Sequence, residues 1–142
     1  FDVHAKSDRL VYIDDYAHHP REIEASLSSI REMWPDKRLT VAFQPHLYSR
    51  TNDFYPEFAK SLNLADQVIL LDIYPAREQP IPGVTSGLIA ERLTVPFVWV
   101  TKEEFPEYVK ENVKEGIFMT VGAGDIDRFI PIFTEMFGGT DC

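Results

Sequence analysis

The sequence predicts an α/β fold in which a mainly parallel sheet of about six strands is covered by helices on both faces, giving three layers. Two observations support this prediction. Short apolar segments alternate with amphipathic segments along the 142 residues, as in chains built from strand–helix units. The segment QVILLDI (67–73) is almost continuously apolar, which is typical of a strand buried on both faces.

The first half of the chain predicts three strands and two helices. FDVHA (1–5) and RLVYIDD (9–15) are apolar runs separated by a polar turn. They form either a β-hairpin or two successive strands, so the N-terminal strand can be antiparallel. Residues 20–34 carry apolar side chains at helical spacing after a proline. RLTVAF (38–43) is a β-branched strand, and after the polar loop QPHLYSRTND a second helix is expected at FYPEFAKSL (54–62).

The second half continues the alternation after the apolar segment. A proline-rich loop, YPAREQPIPG, follows that strand. The remaining predicted elements are a helix at 84–93, a strand at 96–101, a helix at 103–113, a strand at 116–121 and a helix at 126–137. Residues 1–142 therefore predict one domain with its own core, and Phe1, which opens directly into the pattern, suggests a domain cut from a longer protein.

Composition excludes several classes of function. The formal net charge of −9 argues against nonspecific binding of DNA, RNA or anionic lipid, but it does not exclude a small anionic ligand held by a few cationic side chains. No apolar run approaches the roughly 20 residues that span a membrane. A single cysteine, Cys142, provides no disulfide framework and fits a reducing compartment. The expected location is the cytoplasm, without membrane or nucleic-acid partners.

Polar clusters follow four of the predicted strands. They are DDYAHH, QPHLYSR, YPAREQ and GAGD. Because parallel strands end at the same edge of a sheet, and ligands of open α/β sheets bind outside that edge, these clusters predict the functional site.

The first cluster contains two acids and two histidines. Asp14 and Asp15 should point to opposite faces of the sheet, which disfavours a shared metal site. Asp15 is the stronger candidate for ligand contact, whereas Asp14 suits the end of a strand. A histidine pair beside an acid suggests a metal site, but adjacent histidines on a turn usually diverge, and metal ligands need particular separations. Two interpretations remain: one of His18 and His19 caps the following helix, or one imidazole, with His18 the candidate, faces the crevice at the strand ends as a donor to an anion.

The second cluster offers an anion-binding arginine. Arg50 has a planar fork that matches a carboxylate or phosphate, and an arginine near a helix N-terminus is otherwise unfavourable. In the last cluster, Gly122, Ala123 and Gly124 form a turn whose backbone N–H groups can approach a phosphate. The chain contains no G-x-x-x-x-G-K-[ST] sequence for a nucleoside triphosphate.

Four motifs together, IDDYAHHP, FQPHLYSRT, LLDIYPAREQPIPG and VGAGDID, resemble the C-terminal domain of the Mur ligases. FQPHLYSRT is the most discriminating and resembles the alanine-adding members. The resemblance covers nearly the whole chain and implies a Rossmann-like fold. It also implies that a UDP-sugar domain and a central ATPase domain belong to the full-length enzyme, with the ATPase domain acting in cis.

The resemblance implies an ATP-dependent reaction between L-alanine and UDP-N-acetylmuramate through an acyl phosphate. ATP and Mg²⁺ would serve the full-length enzyme, with none bound tightly by this chain, no metal ligand in it and no catalytic residue in it alone. The chain on its own is expected to be inactive. The domain would close over the nucleotide and position the amino acid.

The resemblance also assigns residues. It places Asp15 at the ribose of the nucleotide and Tyr16 beside the nucleotide or product. His18 and Arg50 would contact the amino-acid portion, Arg50 through its carboxylate. Leu47 stands where several relatives carry arginine, so Arg50 would act with less help or together with His46.

Two alternatives stay open at this point. One is the murein tripeptide ligase of the same family, which joins a tripeptide instead of L-alanine. The other is a stand-alone α/β module that binds a nucleotide or an anion without ligase activity.

Overall fold

In the computed structural model, which describes residues 2–138, the chain forms six strands, five α-helices and one 3₁₀ helix. Phe1 and Cys142 lie outside the described residues. The strands are Asp2–Lys6 (β1), Leu10–Asp15 (β2), Leu39–Phe43 (β3), Gln67–Leu70 (β4), Phe97–Trp99 (β5) and Gly116–Val121 (β6). The α-helices are Pro20–Met33 (α1), Tyr48–Leu62 (α2), Gly87–Ala90 (α3), Phe105–Asn112 (α4) and Ile130–Gly138 (α5), and the 3₁₀ helix is Asp125–Phe129.

The strands form one sheet in the order β1-β2-β6-β3-β4-β5. β1 is antiparallel to β2, and all other neighbours are parallel. The predicted mainly parallel sheet of six strands with an antiparallel N-terminal strand is therefore confirmed.

Helices cover both faces of this sheet, because strand residues alternate between two apolar clusters. On one face, Ile23 and Leu27 of α1 and Phe58 of α2 pack against β2, β3, β4 and β6. On the other face, Phe105 of α4 and Phe133 of α5 pack against the same strands. β6 is buried along its whole length, as expected for a central strand between two helical layers.

The connections after the central strands diverge at the carboxyl edge of the sheet. β2 and β3 lead into α1 and α2 on one face, whereas β6, which lies between them, leads into the 3₁₀ helix and α5 on the other. Such a divergence leaves a crevice at the ends of the strands, where ligands bind in open α/β sheets.

The second helix differs from the prediction. It begins at Tyr48 instead of residue 54, so the segment YSRTND is helical and not a loop. The polar residues of this segment concealed the first turns, and the helix continues through Pro56, which has no N–H group for the helical ladder. Arg50 consequently stands in the first turn of α2 and not in a loop before it.

Other elements also differ from the prediction. α3 is a single turn at Gly87–Ala90 and not a helix over 84–93. The regular part of β4 ends at Leu70, three residues earlier than predicted. The last helical segment begins as a 3₁₀ helix before α5. Among the described helices, none has the length and apolar character needed to cross a bilayer.

Candidate functional site

The two acids at the end of β2 point to opposite faces, as predicted. Asp15 is buried on the α1 side, where its carboxylate accepts hydrogen bonds from Ala17 N (3.0 Å) and from the hydroxyl of Ser26. On the other side, Asp14 accepts a hydrogen bond from Thr120 Oγ1 at 2.7 Å. Burial raises the pKa of Asp14, although the hydrogen bond from Thr120 acts in the opposite direction.

Asp15 fixes the turn that presents Tyr16. Its contact with Ala17 N closes the backbone two residues on, a common use of aspartate in turns. Tyr16 is 64% exposed at the tip of this turn. An exposed aromatic face at the end of a central strand is available to stack against a planar ligand.

The two histidines of the turn have separate roles. His19 is the N-cap of α1 and accepts from Arg21 N, and Glu22 completes a capping box. The prediction that one histidine caps this helix is therefore confirmed. The His18 ring lies between Tyr16 and His46, with ring centroids 5.7 and 6.3 Å away.

The hydrogen bond of His18 decides what its ring can do. Its Nδ1 lies 3.1 Å from Tyr16 O, and a carbonyl oxygen only accepts, so Nδ1 carries the proton. In the neutral ring, Nε2 is then an acceptor. Donation to an anion, the role predicted for His18 from the sequence, needs the doubly protonated ring.

His46 is held by the neighbouring loop. His46 and Tyr74 form a parallel β-bridge, Leu47 N donates to Tyr74 O (2.9 Å) and Tyr74 N donates to Pro45 O (2.8 Å). The His46 and Tyr74 rings stack with centroids 5.7 Å apart. Backbone pairing and ring stacking together fix the His46 imidazole at the carboxyl edge.

Arg50 and His46 form a donor pair. Arg50 Nη1 lies 3.1 Å from His46 Nδ1, and because arginine has only donors, His46 Nδ1 must be the bare acceptor and Nε2 the protonated nitrogen. Burial, and then the charge of Arg50, lower the pKa of His46, which favours this neutral form. The remaining guanidinium N–H groups and His46 Nε2–H are donors suited to a carboxylate.

Leu47 is the N-cap residue that precedes α2, and its backbone conformation is unusual. Its φ is 76° and its ψ 136°, and its side chain makes no capping hydrogen bond. Such backbone conformations cost about 1–3 kcal/mol in residues other than glycine and cluster at functional sites. Leu47 is half-buried.

Glu78 supplies the cap that Leu47 lacks. Its carboxylate accepts from Ser49 N at 3.1 Å and from the Ser49 hydroxyl. These hydrogen bonds lower the pKa of Glu78. The proline-rich loop is thereby joined to the first turn of α2.

The glycine turn after β6 is packed closely against Gln44. A Cβ at Gly122 would lie 2.9 Å from Gln44 O, and one at Gly124 would lie 2.5 Å from Gln44 Oε1. Gly122 N donates to Asp15 O (3.1 Å) and Ile126 N to Gln44 Oε1 (2.9 Å). Close packing thus explains both glycines, and the predicted approach of a phosphate to Gly122, Ala123 and Gly124 stays a prediction.

An acid on the opposite face secures this turn. Asp125 accepts from Gln44 Nε2 (2.6 Å) and from Lys102 Nζ (2.7 Å). Burial acts to raise the pKa of Asp125, but the hydrogen bonds from Lys102 and Gln44 outweigh it and lower the pKa. Within residues 2–138, no three histidine, cysteine, aspartate or glutamate side chains are grouped to hold a metal ion.

The structure therefore brings Tyr16, His18, His46 and Arg50 together at one face of the carboxyl edge, and leaves Asp14 on the other face. Sequence reasoning did not single out Tyr74, Glu78 or Gln44. Tyr74 and Glu78 lie in a cluster predicted at this edge. Gln44 is the first residue of another of these clusters, QPHLYSR, and directly follows an apolar strand.

Comparisons with known proteins give a consistent match. Residues 1–124 match the family described as Mur ligase, glutamate ligase domain. A UDP-N-acetylmuramate–L-alanine ligase of Phocaeicola vulgatus is 53% identical over 133 residues, which are 92% of this chain and 29% of that protein. The protein of the same name from Parabacteroides distasonis is 50% identical over 136 residues, 96% of this chain and 29% of that protein.

Solved structures agree with the fold. The UDP-N-acetylmuramate–alanine ligase MurC of Thermotoga maritima aligns with a TM-score of 0.69 at 28% identity, over 92% of this chain and 27% of that chain. A murein peptide ligase from Psychrobacter arcticus aligns with a TM-score of 0.72 over 94% of this chain and 29% of that chain, but its identity of 17% shows the fold alone. The chain spans less than a third of the length of these relatives.

Proposed function

The chain belongs to the Mur ligase family, as its C-terminal domain, and we propose that it serves a ligase that joins L-alanine to UDP-N-acetylmuramate with consumption of ATP. The observation that carries the proposal is the donor pair of Arg50 and His46 in a chain about half identical to proteins with that name. Residues 1–142 form one domain of this ligase, which acts together with a central ATPase domain in cis.

The role of this domain is to bind the amino acid. Arg50 and His46 Nε2–H hold the carboxylate of L-alanine, and the fork of Arg50 sets its orientation. Across from them, His18 Nε2 accepts a hydrogen bond from the amino group, because its Nδ1 proton is engaged by Tyr16 O. Because two donors hold the carboxylate and one acceptor holds the amine, the amine points in a defined direction.

The carboxylate of UDP-N-acetylmuramate takes the terminal phosphoryl group of ATP, which gives an acyl phosphate and releases ADP. The amine of L-alanine then attacks the acyl carbon, loses a proton and displaces phosphate, which forms the amide. The exposed ring of Tyr16 suits a position beside the nucleotide, and Asp15 supports that turn from within. A direct contact of Asp15 with the ribose remains the sequence-based proposal. We assign Mg²⁺ to the central ATPase domain.

Binding of the amine in a fixed direction is the contribution of this domain to the rate of the reaction. Pre-positioning of two reacting groups contributes roughly 7–11 kcal/mol in the best intramolecular cases. Closure of the domain over the acyl phosphate also excludes water, which would otherwise hydrolyse it.

An assay of the full-length enzyme tests the proposal. With UDP-N-acetylmuramate and Mg·ATP, phosphate release should depend on L-alanine and should not be supported by the wall tripeptide. Activity with the tripeptide and none with L-alanine would identify the murein tripeptide ligase instead. Absence of ligation with either, together with binding of nucleotide by the 142-residue chain alone, would favour a stand-alone binding module.

A further inference from the structure

Two segments meet at the donor pair of Arg50 and His46: the start of α2 and the 74–83 loop. Each contains a residue with an unusual backbone conformation. Among residues 2–138, the non-glycine residues with positive φ are Leu47 (φ 76°) and Ala76 (φ 54°). Leu47 precedes the first turn of α2, and Ala76 lies in the tight turn closed by the hydrogen bond from Glu78 N to Pro75 O (2.9 Å). Residues in such conformations persist only where their surroundings hold them.

Glu78 joins the two segments. It follows Ala76 by two residues, and its carboxylate accepts from both the backbone N–H and the hydroxyl of Ser49. Ser49 directly precedes Arg50 in the first turn of α2. The first turn of a helix has backbone N–H groups without partners, and an acceptor from another segment satisfies them when the N-cap residue cannot.

The contacts around Arg50 depend on this junction. Arg50 reaches His46 Nδ1 at 3.1 Å, while His46 is paired to Tyr74 in the other segment. Arg50 and His46 are four residues apart in one segment. The 74–83 loop supports this segment at two points, at His46 through Tyr74 and at Ser49 through Glu78. Without the contact at Ser49, the loop would still hold His46 but not the first turn of α2, and Arg50 would no longer be fixed relative to His46.

We propose that Glu78 is a positioning residue of the amino-acid subsite: by tying the 74–83 loop to the first turn of α2, it holds Arg50 and His46 in the arrangement that receives the carboxylate of L-alanine. This proposal rests on the function proposed above. Glu78 itself does not touch the amino acid.

The hydrogen bonds from Ser49 to the Glu78 carboxylate, called the tether below, carry this role, and the charge of Glu78 does not. Hydrogen bonds from the Ser49 side chain and backbone are the main causes that lower the pKa of Glu78, and the charge of Arg50 contributes least among them. A glutamine at this position keeps one oxygen acceptor for Ser49 N and offers an N–H to the Ser49 hydroxyl. Glu78→Gln should therefore preserve most of the effect, whereas Glu78→Ala should remove it.

Kinetics of the full-length ligase test the proposal. Glu78→Ala should raise the KM for L-alanine about 5- to 20-fold, less than a direct loss of a charged hydrogen bond, because it acts through Arg50 and His46. The KM for ATP should change less than about twofold, and Glu78→Gln should stay within about threefold of the parent. Glu57→Ala removes the same charge from an exposed position of α2 and should leave both KM values unchanged.

Ser49→Ala provides the partner variant. If Glu78 acts through Ser49, the double variant Ser49→Ala/Glu78→Ala should raise the KM for L-alanine little more than Glu78→Ala alone, since coupled residues are not additive. Additive effects, or equal losses in Glu78→Gln and Glu78→Ala, would overturn the tether. Equal increases in the KM of L-alanine and of ATP would show a general structural role instead.

Hydrogen exchange separates this proposal from the proposed function. In the 142-residue chain, the amide of Ser49 should exchange faster in Glu78→Ala than in the parent or in Glu57→Ala. Faster exchange in a protein whose full-length form does not use L-alanine would refute the function and keep the tether. Unchanged exchange at Ser49 would overturn the tether, whatever the substrate.

Discussion

Replacement of Arg50 by alanine in the full-length ligase should weaken the use of L-alanine while sparing ATP. The side chain places a guanidinium 3.1 Å from His46 Nδ1, with its other N–H groups available to the carboxylate. A hydrogen bond to a charged group is worth about 1.5–3 kcal/mol, so the KM for L-alanine should rise roughly 10- to 150-fold. Loss of the donor that fixes the His46 tautomer should bring the increase toward the upper part of that range.

The melting temperature of Arg50→Ala should not fall together with its activity. Arg50 stands in the first turn of α2, where the positive end of the helix dipole opposes a cation by about 0.3–1 kcal/mol. Alanine at this position should therefore leave the melting temperature equal or slightly higher. Arg50→Lys, which keeps the charge but loses the planar fork, should give an intermediate KM.

The assay is phosphate release at varied L-alanine and, separately, at varied ATP. Arg9→Ala, a loss of one exposed arginine before β2, at the opposite edge of the sheet, is the matched control and should behave as the parent does. Equal increases in the two KM values would remove Arg50 from the amino-acid subsite. A lower melting temperature with an unchanged KM for L-alanine would assign it a purely structural role.

Four further outcomes are expected. The 142-residue chain alone should release no phosphate above an enzyme-free blank when given UDP-N-acetylmuramate, L-alanine and Mg·ATP, because it has no phosphate-binding loop of the G-x-x-x-x-G-K-[ST] type; clear turnover would contradict this. Leu47→Arg in the full-length enzyme should keep the melting temperature within a few degrees and a KM for L-alanine no worse than the parent, since Leu47 is only half-buried; a large drop in melting temperature would place it in the core. The pKa of His46 is lowered from 6.5, so the contribution of His46 to the KM for L-alanine should be constant above pH 6.5. It should weaken only below that pH, because protonation removes the acceptor for Arg50. Weakening of this contribution that begins above pH 6.5 would refute the neutral form of His46. The hydrogen bond from Arg31 lowers the pKa of Asp66, so its carboxylate stabilises the fold fully above the ordinary pKa of about 3.9 and less as the pH falls below it. The difference in the free energy of unfolding between the parent and Asp66→Asn should therefore shrink in acid. A difference that does not depend on pH would contradict the pairing of Asp66 with Arg31.

Local sequence patterns were sufficient for the class of fold and for bringing the candidate site residues to one edge of the sheet. Alternation of strands and helices implies parallel strands, and parallel strands bring the residues after β2, β3, β4 and β6 to one edge. The position of β6 between β2 and β3 was not predictable in this way, because strand order depends on long-range packing. Alternation within β2 was enough to separate Asp14 from Asp15.

What the local patterns missed near the candidate site arises from contacts between distant segments. The start of α2 was placed six residues too late because its first turn is capped by Glu78, 29 residues after Ser49, and not by a neighbouring side chain. The phosphate turn proposed for the glycines after β6 stays a prediction. Their close packing against Gln44 could not be predicted, because it arises from the pairing of β3 with β6.

The central claim is that this domain holds the carboxylate of the incoming amino acid. A crystal structure of the full-length ligase with UDP-N-acetylmuramoyl-L-alanine bound tests it most directly. The alanine carboxylate should lie about 2.7–3.2 Å from the Arg50 guanidinium and from His46 Nε2, with Glu78 still on Ser49. A carboxylate bound only by residues of the other domains, with Arg50 and His46 facing solvent, would contradict the claim.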